Sequence, residues 1–350
     1  MPGDGRANLC PVARALVCPD KFRGSLTAMA AAEAIAAGLR AGGIDEVEAL
    51  PLADGGEGTL DALLAATGGS RRNARVTGPL GDGVDAEFGL LPDGTAVIEM
   101  ARASGLALVS GANDPLRAST RGTGELIAAA ARNGARRILV AVGGSATTDG
   151  GLGAVDALGW SLRNLDVTVA CDVRTTFLDA ATVYGPQKGA SPAQVELLRR
   201  RLLRLADEYE TRTRVDVTSL SGSGAAGGLA GGLAAIGARL ESGYEVIADA
   251  LALDDRLDGA TLVVTGEGHL DASSLEGKVV GGVLADAEHS GVACRAVIAG
   301  RVDDGVRADL EARGVQVRSL IDRAFDADES FSRAATLLQE AAVEIARTTL

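Results

Sequence analysis

The sequence predicts a two-domain α/β protein, a Rossmann-like parallel-sheet domain joined to a second, mixed α/β domain. Three observations carry that prediction. Short β-rich apolar runs alternate with alanine-rich segments of helical period, the sign of parallel βαβ construction. The chain has 350 residues, of which 47% are hydrophobic, enough to bury two cores. Many of its 47 glycines gather at the ends of the predicted strands, where the backbone must turn tightly.

Taken in order, Ala15–Cys18 (ALVC) reads as the first strand. A turn follows, then a helix beginning near Ser25 or Thr27 and ending at about Leu39, because a hydroxyl residue ahead of an apolar period is a helix-start signal. Val47–Leu52 (VEALPL) is the next strand, with DGGEG as its turn and Thr59 opening another helix. Residues 74–100 differ: RVTGPLG, EFGLL and TAVIEM are separated by turn dipeptides with no helical run between them. That pattern predicts β-hairpins opening the second domain. Further strands are expected at Arg137–Val142, Val167–Cys171, Thr261–Thr265, Arg295–Gly300 and Val315–Leu320. Ala193–Glu210 carries leucines at helical spacing and reads as a packing helix. The expected partition joins 1–75 with 245–350 as the discontinuous Rossmann-like domain and leaves 76–244 as the second.

Composition excludes several function classes. With 47 acidic against 34 basic residues the net charge is −13, which argues against a nucleic-acid surface built on a basic face. At 3% aromatic residues a base-stacking platform is missing as well. Cys10, Cys18, Cys171 and Cys294 form no Cys-x-x-Cys pair, so neither a zinc ribbon nor a disulfide framework is expected, and the thiols suit a reducing cytoplasm. No uncharged apolar run reaches about 18 residues, so export and membrane anchoring are not expected.

Chemistry-bearing residues collect in six segments at predicted strand-to-helix junctions: CPDKFRGS, ADGGEGT, GGSATTDGG, CDV, GSGAAGG and TGEGHLD. Open α/β sheets bind ligands at the carboxyl ends of their strands, which is where these segments fall. Glycines let backbone N–H groups close on phosphate oxygens, and a following helix N-terminus favours negative charge. The acids Asp54, Glu57, Asp149, Asp172, Glu267 and Asp271 could hold Mg²⁺, which takes one or two carboxylates together with water and substrate phosphates. Each acid singly has an alternative role as an Asx-turn or helix cap. Only three lysines stand among the 34 basic residues, Lys21, Lys188 and Lys278. Each lies in a small-residue-rich or glycine-flanked segment, and a compact ammonium suits phosphate oxygens.

GSGAAG (Gly222–Gly227) also fits Gly-x-Gly-x-x-Gly, follows the alternation VDVTSL and has Asp249 about 20 residues on, as a dinucleotide fingerprint would. A nicotinamide-dependent oxidoreductase is therefore a competing reading, although it leaves GGSATTDGG and ADGGEGT without work. A Walker A motif is absent, as are the protein-kinase Gly-rich loop and His-Arg-Asp set. Of the two histidines, His289 reads as a solvated helix-end residue, while His269 lies inside GEGHLD with no second histidine near it to make a metal site.

CPDKFRGSLTA, PLADGGEGT, AVIEMARASGL, TRGTGELI, GGSATTDGGLGAVDALG, CDV, YGPQKGA, GSGAAGGLAGGL and VTGEGHLD followed by GK occur in that order. Together they resemble the bacterial glycerate kinase family of the glycerate 2-kinase type, from about Val17 to Gly300. The resemblance implies ATP-dependent phosphorylation of D-glycerate at its 2-hydroxyl, with ATP and Mg²⁺ as cofactors and an active site in the cleft between two α/β domains. On that reading Asp172, Asp271 and Lys21 are the catalytic candidates. Asp20, Arg23, Ser25, Asp54, Glu57, Arg102, Lys188, His269 and Lys278 are assigned to the substrate. Gly143, Gly144, Ser145, Gly222, Gly224, Gly227 and Gly266 are assigned to the nucleotide, and Asp172 and Glu267 to the metal. Phosphoryl transfer asks mainly for positioning and charge compensation, which an acid beside the hydroxyl and cations around the phosphate supply.

The sequence departs from the family pattern at clustered positions. Thr175, Thr176 and Phe177 replace an Asn-Pro-Leu, Thr148 an Asn, His269 an Arg, Ser273 and Ser274 a Gln-Thr pair, and Arg23 a Lys. Only WSLRNLDVTV separates ALG from ACDV, where the family carries several tens of residues. An Arg-to-His change loses a planar two-pronged clamp for a carboxylate. Three readings stay open: a glycerate kinase, a paralogous kinase for another small hydroxy acid or polyol, and a catalytically degenerate nucleotide-binding protein. The expected partners are a hydroxy acid and ATP, with no nucleic acid and no membrane; a homodimer is left open.

Overall fold

The computed structural model describes residues 14–350; Cys10 lies outside the described residues. The described residues form eleven strands: β1 (Arg14–Pro19), β2 (Glu46–Ala49), β3 (Ser70–Thr77), β4 (Gly83–Leu90), β5 (Ala96–Glu99), β6 (Arg137–Ala141), β7 (Asp166–Ala170), β8 (Arg239–Glu241), β9 (Leu262–Leu270), β10 (Cys294–Val302) and β11 (Val315–Ser319). They make two sheets in two compact units, one of residues 14–53 and 247–350, the other of 54–246. The first crossing thus falls at Ala53, well before the expected residue 75. The reason is pairing: β3 runs antiparallel to β4 over its whole length, and β4 to β5, so the hairpins carry the preceding DGGEG turn and helix Thr59–Thr67 with them.

The first unit holds a five-stranded parallel sheet of order β11-β10-β9-β1-β2. Its central strands are continuous apolar runs because both faces are covered. On one face Ala31, Ile35 and Leu39 of helix Ala28–Ala41 pack with Leu337, Leu338 and Ile345 of helix Ala334–Thr349. On the other, Val280 and Leu284 pack with Val306 and Leu310. Thr27 caps the first helix, its hydroxyl accepting from the Ala30 N–H at 3.2 Å, as the hydroxyl signal predicts. From the adjacent pair β1 and β9 the chain leads outward in opposite directions, which makes the gap between their carboxyl ends a topological switch point.

The second unit holds a six-stranded mixed sheet, β3-β4-β5-β6-β7-β8, antiparallel at the β3 end and parallel from β5 to β8. Helix Pro192–Thr213 lies where the leucine spacing predicts it, opened by a capping box of Ser191 and Gln194. Residues 215–220, which alternate like a strand in sequence, form turns instead, with Asp216 accepting from the Thr218 N–H and hydroxyl. The segment GSGAAGG is therefore not preceded by a strand. It opens helix Ala225–Ala235 through three consecutive left-handed residues, Ala226, Gly227 and Gly228. This left-handed turn seats against the turn after β6: the Gly150 N–H donates to the Gly227 carbonyl at 3.0 Å. No helix among the described residues is long and apolar enough to cross a membrane.

A side chain at Gly227 meets two obstacles, a φ of +70° and a collision with the Thr147 carbonyl. Gly134 has a φ of +96° but open space around it. Gly134→Ala is expected to cost about 1–2 kcal/mol, the backbone strain alone. Gly227→Ala should cost at least about 1 kcal/mol more, through overpacking. Urea midpoints of the two variants check this difference.

Candidate active site

In the second unit β7 ends at Ala170, and the chain turns through Cys171 and Asp172. The Asp172 Oδ1 accepts from the Gly243 N–H at 2.7 Å and the Tyr244 N–H at 3.4 Å. Its Oδ2 is buried and has no hydrogen-bond partner. Burial, and then the neighbouring Asp54 carboxylate, push the Asp172 carboxyl up to about 7. Asp54 itself accepts from the Gly56 N–H at 3.2 Å, and Gly55 lies against Ala170 at the end of β7. A carboxylate with one oxygen held by backbone donors and the other unclaimed can accept a proton near neutrality or bind a cation.

The turn after β6 carries Gly143, Gly144 and Ser145. Gly143 packs on Gly56, and the Glu57 carboxylate occupies the space a Gly144 side chain would take. Glu57, Asp54, Asp172 and the Gly143–Ser145 turn are thus brought into one neighbourhood by backbone contacts. Glu99, buried at the end of β5, accepts from the Gly58 and Leu60 N–H groups at 2.8 and 3.0 Å and so holds the far end of the DGGEG turn.

In the first unit the candidates meet at the switch point. The Asp20 N–H donates to the Gly266 carbonyl at 2.8 Å, joining the DKFRGS turn to β9. Strand β9 runs on to Leu270, so Glu267 and His269 stand on a strand where a loop was expected. One Glu267 oxygen, Oε1, is buried without a partner. Burial and the Asp20 and Asp271 carboxylates push its carboxyl up to about 7, against Ser274 and Lys278, which lower it. Lys21 lies beside Asp20, with Nζ 3.7 Å from Oδ1. Lys278 Nζ donates to the Ser273 hydroxyl at 2.8 Å.

Other expected site residues are engaged elsewhere. Asp271 caps a short 3₁₀ turn, accepting at Oδ1 from the Ser273 hydroxyl and the Ser273 and Ser274 N–H groups, and these bonds, the Ser273 hydroxyl foremost, hold its carboxyl below the usual range. Arg102 faces three acids, with Glu99 at 2.6 Å, Glu87 at 3.0 Å and Asp61 at 3.6 Å, which ties it to the framework rather than to a solute. Asp149 accepts from the Thr120 N–H and hydroxyl at 2.8 and 2.9 Å and from the Gly151 and Gly153 N–H groups. Lys188 is 3% exposed, its ammonium donating to the Thr147 carbonyl at 2.6 Å, so as placed it reaches no solute. His269 Nε2 lies 2.9 Å from Asp303 Oδ1. The Ser25 hydroxyl closes its own turn onto the Phe22 carbonyl at 3.1 Å, and Arg23 is exposed. Side chains at Gly224, Gly227 and Gly266 would collide with the carbonyls of Thr176, Thr147 and Ile298, and one at Gly222 would crowd Val173 and Cys171. Backbone packing is thus sufficient reason for glycine at all four.

The donors that hold Asp172 escape sequence reasoning. Their only trace is the Ser242-Gly243 dipeptide, an ordinary turn signal, and 71 residues separate Gly243 from Asp172.

The model of the glycerate kinase family matches residues 15–166 and 160–350. The chain belongs to the glycerate kinase family. The chain is 42% identical over 305 residues to the glycerate 2-kinase of Escherichia coli (strain K12), covering 77% of this chain and 80% of that one. It is 37% identical over 369 residues to the glycerate kinase of Bacillus subtilis (strain 168), covering 95% and 96%. A crystal structure from Salmonella typhimurium LT2, that of a candidate glycerate kinase 2, superposes with a TM-score of 0.79 at 35% identity, covering 96% of this chain and 98% of that one. This glycerate kinase family member is a phosphotransferase with an alcohol acceptor. The nicotinamide alternative falls, since its fingerprint lacks the strand that must precede it.

Asp172 also leaves a mark on stability. With its carboxyl raised from the ordinary value of about 4 to about 7, the folded state holds a proton across that window which the unfolded state has lost. Stability therefore falls as pH rises through the window. Asp172→Asn removes this loss, so the variant should gain on the order of 4 kcal/mol over wild type between pH 4 and pH 8, measured by urea unfolding at the two pH values.

Proposed function

We propose that the protein transfers the γ-phosphoryl group of ATP to the 2-hydroxyl of D-glycerate, giving 2-phosphoglycerate and ADP, in the cytoplasm. The relatives named glycerate 2-kinase and glycerate kinase support the substrate. The observation that carries the chemistry is Asp172, whose Oδ1 is pinned by backbone donors while its buried Oδ2 has no partner. In the proposed step the acceptor hydroxyl gives its proton to Oδ2, its oxygen bonds to the γ-phosphorus, and the bond to the β–γ bridging oxygen breaks with its electron pair leaving on ADP. A base near neutrality is suited to this transfer.

The donor set also fits Mg²⁺, which shields phosphate charge when bound. Among the described residues no three acids, histidines or cysteines cluster as a metal cage, and a cation that keeps waters and phosphate oxygens needs only one or two carboxylates. Glu267, with its unpartnered Oε1, would supply one. Lys21, Arg23 and Lys278 would balance the remaining anionic charge, and the N–H groups of Gly143–Ser145 would take an anionic oxygen.

Purified protein with Mg-ATP and D-glycerate should release ADP and form 2-phosphoglycerate, separated from the 3-isomer by ³¹P NMR. Asp172→Asn should lower kcat by about 10²–10⁴-fold while nucleotide still raises Tm. No turnover in wild type despite stabilisation by ATP would replace glycerate with another hydroxy acid or mean that activity has been lost. Full activity in Asp172→Asn would remove Asp172 as the base.

A further inference from the structure

The turn after β6 is anchored from behind by three donors. The Leu106 N–H donates to the Gly144 carbonyl at 2.9 Å, Asn113 Nδ2 to the Ala146 carbonyl at 3.0 Å, and Lys188 Nζ to the Thr147 carbonyl at 2.6 Å. Asn113 also bonds the Lys188 carbonyl at 2.9 Å, locking the lysine's own segment to the turn. Among the described residues no peptide bond is cis, and in a trans peptide the N–H points opposite to the carbonyl. With the Gly144 carbonyl turned to Leu106, the Ser145 N–H points the other way, on the partly exposed stretch Gly143–Ser145.

Two of the three donors are neutral, and a neutral donor suffices to hold a carbonyl. The third is an ammonium on a side chain 3% exposed. Its other surroundings are the Tyr184 ring at 5.8 Å and the field of Asp149, a carboxylate already occupied by Ser119, Thr120, Gly151 and Gly153. Burying a charge so sparsely paired is costly, and burial, against Asp149, brings the ammonium down to about 7. Anchoring the turn does not explain the charge; positive charge placed behind a turn that receives an anion does.

We propose that Lys188 is a positioning residue whose buried ammonium fixes the Gly143–Ser145 turn through the Thr147 carbonyl and gives that turn the positive charge with which it receives a ligand's anionic oxygen. This role rests on the kinase reading above. The oxygen belongs either to a nucleotide phosphate or to the carboxylate of the acceptor, which have the same recognition chemistry.

Lys188→Gln and Lys188→Met separate this role from a structural one. Lys188→Gln keeps a donor for the Thr147 carbonyl and Lys188→Met does not, so Met should lower Tm further than Gln, while both weaken binding of one ligand by about tenfold, the loss of a charge-assisted contribution. Calorimetric Kd values for ADP and for D-glycerate, measured separately on the full chain, identify which anion the turn holds, and the KM of that ligand should rise with kcat little changed. Variants with lowered Tm and both affinities at wild-type values would make Lys188 structural and overturn the proposal. Wild-type protein that binds neither ligand would instead remove the kinase reading, and this role with it.

Discussion

The Gly150 N–H bonded to the Gly227 carbonyl is the contact around which the second unit is fitted. It brings two glycine-rich turns together with no side chain between them, and that closeness requires left-handed backbone at Ala226, Gly227 and Gly228. Once the turns are seated, Thr147 faces Gly227 on one side and Lys188 on another. The Gly143–Ser145 end then meets the DGGEG turn through Gly56 and Glu57. Backbone packing of this kind tolerates little change, because a methyl group at these contacts has no space to enter.

Rigid turns allow single side chains to be left deliberately incomplete. Asp172 and Glu267, one in each unit, each keep one buried oxygen without a partner and are each pushed towards neutrality mainly by burial. Most other polar groups near them are satisfied: Asp149 and Asp271 by N–H groups, Arg102 by three acids. A group left unsatisfied where its neighbours are complete costs stability, and such costs are tolerated where a site needs them. The two carboxyls stand out for that reason, and not because they are acidic.

Much of the fold was legible in the sequence. The strands at 137–142, 167–171 and 315–320, the hairpins before residue 100 and the long leucine-bearing helix follow from periodicity and turn residues, which are local signals. The segment VDVTSL misled because alternation over six residues is also what a turn with Asp216 and Thr218 looks like. The boundary near residue 75 misled because strand pairing, not composition, decides which unit the DGGEG turn joins. Of the candidate site, Asp172 and Glu267 were singled out through the segments CDV and TGEGHLD, although Glu267 stands on β9 and not in a loop. Glu99, Asn113 and the Gly243 donor were not, since each acts on a segment 33 or more residues away.

By itself the sequence determined the α/β class, the order of elements, the ordered motifs of the glycerate kinase family and the segments where chemistry resides. Each of these depends on neighbours within a turn or two of the chain. Only the tertiary structure decided which motif residues are spent inside the framework and which are left open. Arg102 goes to Glu99 and Glu87, Lys188 to the Thr147 carbonyl, and the GSGAAGG glycines to backbone, while Asp172 keeps one oxygen free. The physical reason is that satisfaction of a polar group depends on partners far away in sequence, and a motif records the residue without recording what it meets.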